Sequence, residues 1–151
     1  MTEALTRSIT VDCPLEHAFD VFTGKIDLWW PKGHRRFEAS TLTLEPRAGG
    51  LFLERAHDGQ EAVLGTVIDC DPPHGIRYSW NPGKITEPTV VAIRFERVAE
   101  GTRVDVEHSA AANAVPGEWS QRVALFEKGW ATILPAFSEF AAPSDKGRSN
   151  P

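Results

Sequence analysis

The sequence predicts an α+β layer, an antiparallel sheet of about seven strands with one face covered by a long C-terminal helix. Three observations predict it. From Ser40 to Glu107 apolar and polar residues alternate in short stretches that stop at Gly or Pro. The breaks between them are of hairpin length, which suits antiparallel neighbours. From Glu118 to Ala142 the apolar period changes to that of a helix. Trp119, Val123, Phe126, Trp130, Ile133, Phe137 and Phe140 recur at steps of four and three.

Leu5 to Val11 is the first strand, with Leu5, Ile9 and Val11 opposite Thr6, Ser8 and Thr10. Arg7 falls on the apolar parity, so the start of this strand is expected to be exposed. Pro14 opens a helix with Asp12 or Cys13 near its cap and Glu16 in its first turn. Leu15, Ala18, Val21 and Phe22 form its buried face, and Gly24 ends it. A short helix over Ile26 to Trp30 is stopped by Pro31. Two adjacent tryptophans on a regular element cannot face one core. Trp29 and Trp30 are therefore expected to divide between core and a half-exposed or pocket-lining position. Lys32, His34, Arg35 and Arg36 beside them read as a solvated basic loop or as a surface for an anionic group.

Strands then follow over Thr41–Leu44, Leu51–Ala56, Ala62–Cys70, Ile76–Trp80, Val91–Phe95 and around Val104–Val106. Gly49-Gly50 is a bend that opens a strand, and Asp58-Gly59 centres a hairpin turn. Pro82 to Pro88 is a loop. In the last helix Leu125, Leu134 and Ala141 widen the apolar stripe, while Gln121, Arg122, Glu127, Lys128 and Glu139 suit water. At ~1.5 Å per residue the helix is about 35 Å long. Gly129 inside it lets another backbone approach or leaves room beside Trp130. Pro135 removes a helical N–H and implies a kink, either to follow a curved sheet or as a hinge for a lid.

The chain of 151 residues suits one domain over residues 1–142, with a disordered tail over 143–151. Its net charge of -5 argues against phosphate-driven nucleic-acid binding. There is no apolar run of the ~20 residues a membrane span needs. Met1–Thr10 carries no signal pattern, so a cytoplasmic location is expected. Cys13 and Cys70 lack zinc or redox spacing and are expected to be reduced, half-buried strand-end residues.

The element order and several motifs resemble the helix-grip superfamily of the START and Bet v 1 proteins, and more narrowly the activator of Hsp90 ATPase family. The carriers are Cys13-Pro14 with Ala18-Phe19, Trp29-Trp30-Pro31, Glu45-Pro46-Arg47 with Gly49-Gly50, and Gly65-Thr66-Val67 with Asp71-Pro72-Pro73. Trp80, Thr102-Arg103-Val104, His108-Ser109 and Gly129-Trp130 complete the set. The likeness covers nearly the whole chain, and Pro135 departs from it. The resemblance implies a strongly bent sheet wrapped around the C-terminal helix, with a cavity between them. It also implies hydrophobic ligands such as lipids, sterols or polyketides, and in a few members catalysis. The eukaryotic namesake stimulates Hsp90, so an Hsp90-type chaperone is a second candidate partner. The resemblance allows a monomer or a homodimer.

No strong catalytic set is visible. His17, His34, His57, His74 and His108 have no metal-ligand spacing, no Gly-rich phosphate loop is present, and no serine sits in a GxSxG context. Neither metal nor cofactor is expected, and binding is favoured over catalysis. Strand parity turns His108, Glu54 and Tyr78 inward. His108 with Glu54 is the weak candidate for acid–base chemistry of a cyclase or hydrolase, against a strand-end His108 and a solvent-reaching Glu54. Trp30, Phe52, Tyr78, Trp80, Phe126, Trp130 and Phe137 are the candidate ligand-contacting residues, or else simply the core.

Overall fold

The computed structural model describes residues 4–80, 89–110 and 116–142, the side chains of 116–122 excepted. The loop expected over 82–88, the side chain of Trp119 and the tail over 143–151 lie outside the described residues. Strand β1 (Leu5–Val11) is followed by helices α1 (Leu15–Gly24) and α2 (Ile26–Trp29) and a 3-10 turn over Lys32–His34. Six strands come next: β2 (Ser40–Leu44), β3 (Leu51–Ala56), β4 (Glu61–Asp71), β5 (Gly75–Trp80), β6 (Thr89–Val98) and β7 (Gly101–Ala110). Helix α3 (Pro116–Ala141) ends the described chain. The fold is the expected α+β arrangement of a curved antiparallel sheet gripping a long helix.

The sheet order is β1-β7-β6-β5-β4-β3-β2, so the first two strands form opposite edges and α1 and α2 carry the chain between them. Every neighbouring pair is antiparallel. Register shifts at Phe52/Leu53 and at Val67/Asp69 bend the sheet on both sides of β4. Gly65 sits inside that bend. A Cβ there would lie 1.7 Å from the carbonyl oxygen of Ser79, so no larger residue fits.

The concave face is apolar because alternate residues point into it. Phe52, Leu64, Val67, Ile76, Tyr78, Val91, Ile93, Phe95, Val104 and Val106 are all buried there. Helix α3 adds Phe126, Trp130, Ile133, Leu134, Phe137 and Ala141. Leu125 and Phe140, expected on the stripe, are 67% and 43% exposed and lie off the side the sheet covers. No backbone of the described residues comes close to Gly129, since nothing among them lies within 4 Å of where its Cβ would be. The helix runs through Pro135 as one element. Pro135 and Ala131 are both exposed, so the residue whose carbonyl loses its helical donor faces water. Arg7 is exposed as expected, and it pairs with Glu127 of α3 at 2.7 Å.

The Trp29–Arg36 segment meets the pocket-lining expectation for Trp30, which borders a cavity, but not the half-exposed one, and not that of a wholly solvated basic loop. Both tryptophans are buried, at 5% and 3% exposure, with ring centroids 5.6 Å apart. They share one core because α2 stops at Trp29 and Trp30 turns extended, at φ -64 and ψ 125. Trp29 packs on Phe22 and Phe137, and its indole N–H donates to the Val21 carbonyl at 2.8 Å. The basic segment is not a solvated loop throughout. The Arg35 side chain is 6% exposed and pairs with Asp27 at 2.7 Å. It also donates to the carbonyls of Asp27, Trp30 and Ser40. Arg35 thus ties the segment down, as a planar donor fork suits.

The two helix and strand glycines predict opposite responses to one substitution. Gly65→Ala is expected to cost about 3 kcal/mol or prevent folding, since backbone blocks the new methyl. Gly129→Ala is expected to gain up to about 1 kcal/mol, since it improves helix propensity and meets open space. Urea unfolding of the two variants measures both.

Candidate functional site

A cavity of about 230 Å³ lies between the sheet and the middle of α3. Strands β5 and β7 supply Tyr78, Trp80 and His108, α3 supplies Phe126, Trp130 and Ile133, and Trp30 closes one side. Its wall is mainly apolar and aromatic. The exposed His34, Leu125 and Lys128, with Gly129, border its mouth. The absent side chain at Gly129 is part of what leaves this space.

The polar groups of the wall form a defined relay. The indole N–H of Trp130 donates to His108 Nδ1 at 3.0 Å. An indole can only donate, so Nδ1 carries no proton and Nε2 carries the one proton of the neutral ring. His108 Nε2 therefore donates to Thr89 Oγ1 at 2.8 Å, and Thr89 donates to the Trp80 carbonyl at 2.9 Å. Phe126 stacks on the imidazole at 4.3 Å between centroids. Burial pushes the His108 pKa down to about 4. Protonation at Nδ1 would also set two donors against each other. Both ring nitrogens are occupied, which makes His108 a structural link between α3 and the sheet.

Tyr78 is different. Its ring is fully buried, 5.4 Å from Phe52, and burial drives its pKa upward, so the phenol stays protonated. Its hydroxyl has no hydrogen-bond partner among the described residues. A buried hydroxyl left unpaired carries a desolvation cost.

Glu54 points inward, as its parity predicts, and is 0% exposed. It does not reach solvent. Its carboxylate accepts from the backbone N–H groups of Arg36 and Phe37, each at 2.9 Å, and from Ser40 Oγ at 2.7 Å. The cavity wall contains His108 and not Glu54, so the structure does not bring the candidate acid–base pair to one site. Of the candidate ligand-contacting residues, Trp30, Tyr78, Trp80, Phe126 and Trp130 line the cavity. Phe52 lies beneath it against Trp30, Tyr78 and Trp80, and Phe137 packs on Phe22 and Trp29. Sequence reasoning placed His34 in the basic segment and Lys128 on the water-facing side of the helix, and did not single out Thr89. Thr89 shares the inward parity of Val91, which is the signal that would have found it.

A larger groove of about 540 Å³ runs along β5 and β6, where Asp69, Arg77, Arg94 and Glu96 are exposed. It is open and of mixed charge, and Arg77 is already paired with Asp69 at 2.6 Å. Cys13 and Cys70 are free thiols, Cys13 buried and Cys70 half-buried. Burial, with Asp12 nearby, pushes the Cys13 pKa up to about 11, which disfavours a reactive thiolate. Among the described residues no group of three or more His, Cys, Asp or Glu gathers as a metal site, and no helix is long and apolar enough to cross a membrane.

Residues 12–142 match the family described as Activator of Hsp90 ATPase homolog 1-like protein. The chain belongs to that family. No curated protein matches it in sequence. Solved structures share its fold. A Nitrosomonas europaea protein superposes with a TM-score of 0.69 at 16% identity, over 92% of this chain and 94% of its own. A Rhodobacter sphaeroides protein does so with 0.69 at 20% identity, over 90% of each chain. DynU16, a protein of the dynemicin biosynthetic locus, aligns with 0.68 at 16% identity, over 91% of this chain and 46% of its own. At these identities the likeness is one of fold: the helix-grip arrangement of the Bet v 1 class.

Two predictions follow from the buried polar groups. The folded pKa of His108 is depressed below the ordinary 6.5, so the unfolded chain binds the proton first as pH falls. Its contribution is fully present above about pH 6.5 and is lost as pH drops toward 4, by about 3 kcal/mol. Urea unfolding across that range should show the loss, with His108 ring resonances unchanged from about pH 7 to 5. Glu54→Ala strands three donors and should cost about 2 kcal/mol of stability. A catalytic Glu54 would instead cost turnover and leave the unfolding midpoint in place.

Proposed function

We propose that this protein binds a small hydrophobic molecule in the cavity between its sheet and α3. The observation that carries this reading is the cavity itself: about 230 Å³ of mainly apolar, aromatic-lined space under α3, with an opening at Gly129. Apolar concavities with a few placed polar groups are the usual form of a small-molecule site. The family match supports the same reading, because the helix-grip fold commonly serves it. A chaperone-contact reading rests on the family description alone. A catalytic reading with His108 and Glu54 is less favoured, because Glu54 is not among the residues lining the cavity that His108 lines.

The test is an amide NMR titration with a panel of fatty acids, sterols and one- to two-ring aromatics. Saturable shifts are expected at Trp30, Tyr78, Trp80, His108, Phe126 and Trp130. Gly129→Leu places a side chain at the mouth without costing helix stability, and is expected to weaken binding roughly tenfold or more. Binding that ignores this substitution would place the ligand elsewhere.

A further inference from the structure

We propose that the mouth of this cavity is an anion subsite centred on Lys128, and that the ligand is a compact aromatic carboxylate, its one- or two-ring body inside and its acid group at the rim. The inference rests on the cavity being a ligand site and names the class of ligand.

Size and wall chemistry set the body. Apolar cavities of roughly 150 Å³ admit benzene, and sites for drug-sized ligands run from about 300 to 1,000 Å³. A volume of about 230 Å³ lies between them. One ring or two fused rings fit, whereas a sterol does not. Trp30, Trp80, Phe126 and Trp130 border that space. Aromatic walls suit a ring, which they meet offset or edge to face.

Hydrogen bonding sets which end goes in. The described polar side chains of the interior are bound to one another or to backbone. Trp130 donates to His108, His108 to Thr89, and Thr89 to the Trp80 carbonyl. The Trp30 indole N–H donates to the His34 carbonyl at 3.2 Å. The Tyr78 hydroxyl is sealed from the space, since the residue is 0% exposed. These pairings leave the interior to the apolar body of a ligand and the rim, where water reaches, to its polar end.

The rim supplies the charge. Lys128 is exposed there, one residue before Gly129. A lysine at such an edge lays its methylenes on apolar surface and keeps its ammonium in water. Its own helix does not draw that ammonium away. A helical ion pair needs an acid three or four residues off, and those positions hold Ala124, Leu125, Ala131 and Thr132. Glu127, next in the chain, pairs with Arg7 at 2.7 Å. At Gly129 nothing among the described residues lies within 4 Å of where a Cβ would be, which leaves the acid group a path past the helix. His34, exposed in the turn over Lys32–His34, adds an imidazole that can donate to the same oxygens.

Amide NMR titrations with 2-naphthylacetate, its neutral amide 2-naphthylacetamide and progesterone test this in the wild type, Lys128→Gln and Lys128→Glu. Lys128 is exposed, so the three proteins are expected to share one urea midpoint. The readout is the ratio of the amide Kd to the acid Kd. In the wild type at low salt the acid is expected to bind about fivefold more tightly. That preference is expected to shrink toward equality at about 0.5 M salt. Lys128→Gln is expected to bring the ratio to about one, and Lys128→Glu to reverse it about threefold. An acid preference that survives in either variant overturns the subsite. Progesterone binding more tightly than both naphthyl probes overturns the compact-ligand class. Equal binding of acid and amide to the wild type sinks the subsite and leaves the pocket reading standing. No saturable shift with any of the three probes sinks both.

Discussion

The contact between α3 and the concave sheet is what the rest of the molecule depends on, and it is made in two different ways. Toward its C-terminal end the helix sits in aromatic packing, with Phe137 against Phe22 at 5.4 Å and Trp29 at 5.2 Å. Further back it is held by a polar strut, the Trp130 to His108 hydrogen bond of 3.0 Å. Rings in contact leave no gap. A strut spans one, and the cavity lies beside it. The cavity is therefore a consequence of where packing gives way to a hydrogen bond along one helix.

The strut works only because its polar atoms are paired in sequence, from Trp130 through His108 and Thr89 to the Trp80 carbonyl. The same rule governs Glu54, whose buried carboxylate is held by two amides and a hydroxyl. Arg35 fixes the adjoining segment by ion pairing with Asp27. These groups give the apolar interior a defined geometry. Tyr78 departs from the rule, because its hydroxyl sits in the same interior unpaired. In a low-dielectric setting such a group is costly unless something meets it.

Much of the fold was legible because periodicity reports which face of an element is buried. β1 and β3 fall on the stretches their alternation marks, and α1 ends at the Gly24 that punctuates it. Arg7 breaks its strand's alternation and is exposed for that reason. The candidate site was partly legible by the same means, since parity turns Tyr78, Trp80 and His108 inward. Periodicity went astray only in allowing a half-exposed tryptophan at Trp29-Trp30, because it assumes a regular element. The turn from helical to extended backbone at Trp30 lets neighbouring side chains enter one core.

By itself the sequence determined the class of each element, most of its inward face and the family, since these follow from local spacing, turn chemistry and short motifs. Only the tertiary structure decided how deep along that face each residue lies. Phe52 and Tyr78 share the inward side and touch, yet one is beneath the cavity and the other is in its wall. Parity likewise assigns Glu54 and His108 to one face without revealing that their partners differ. The reason is that depth and pairing depend on the bend at Gly65 and on the path of the segment through Arg35. Both bring together residues far apart in the chain, which no local period encodes.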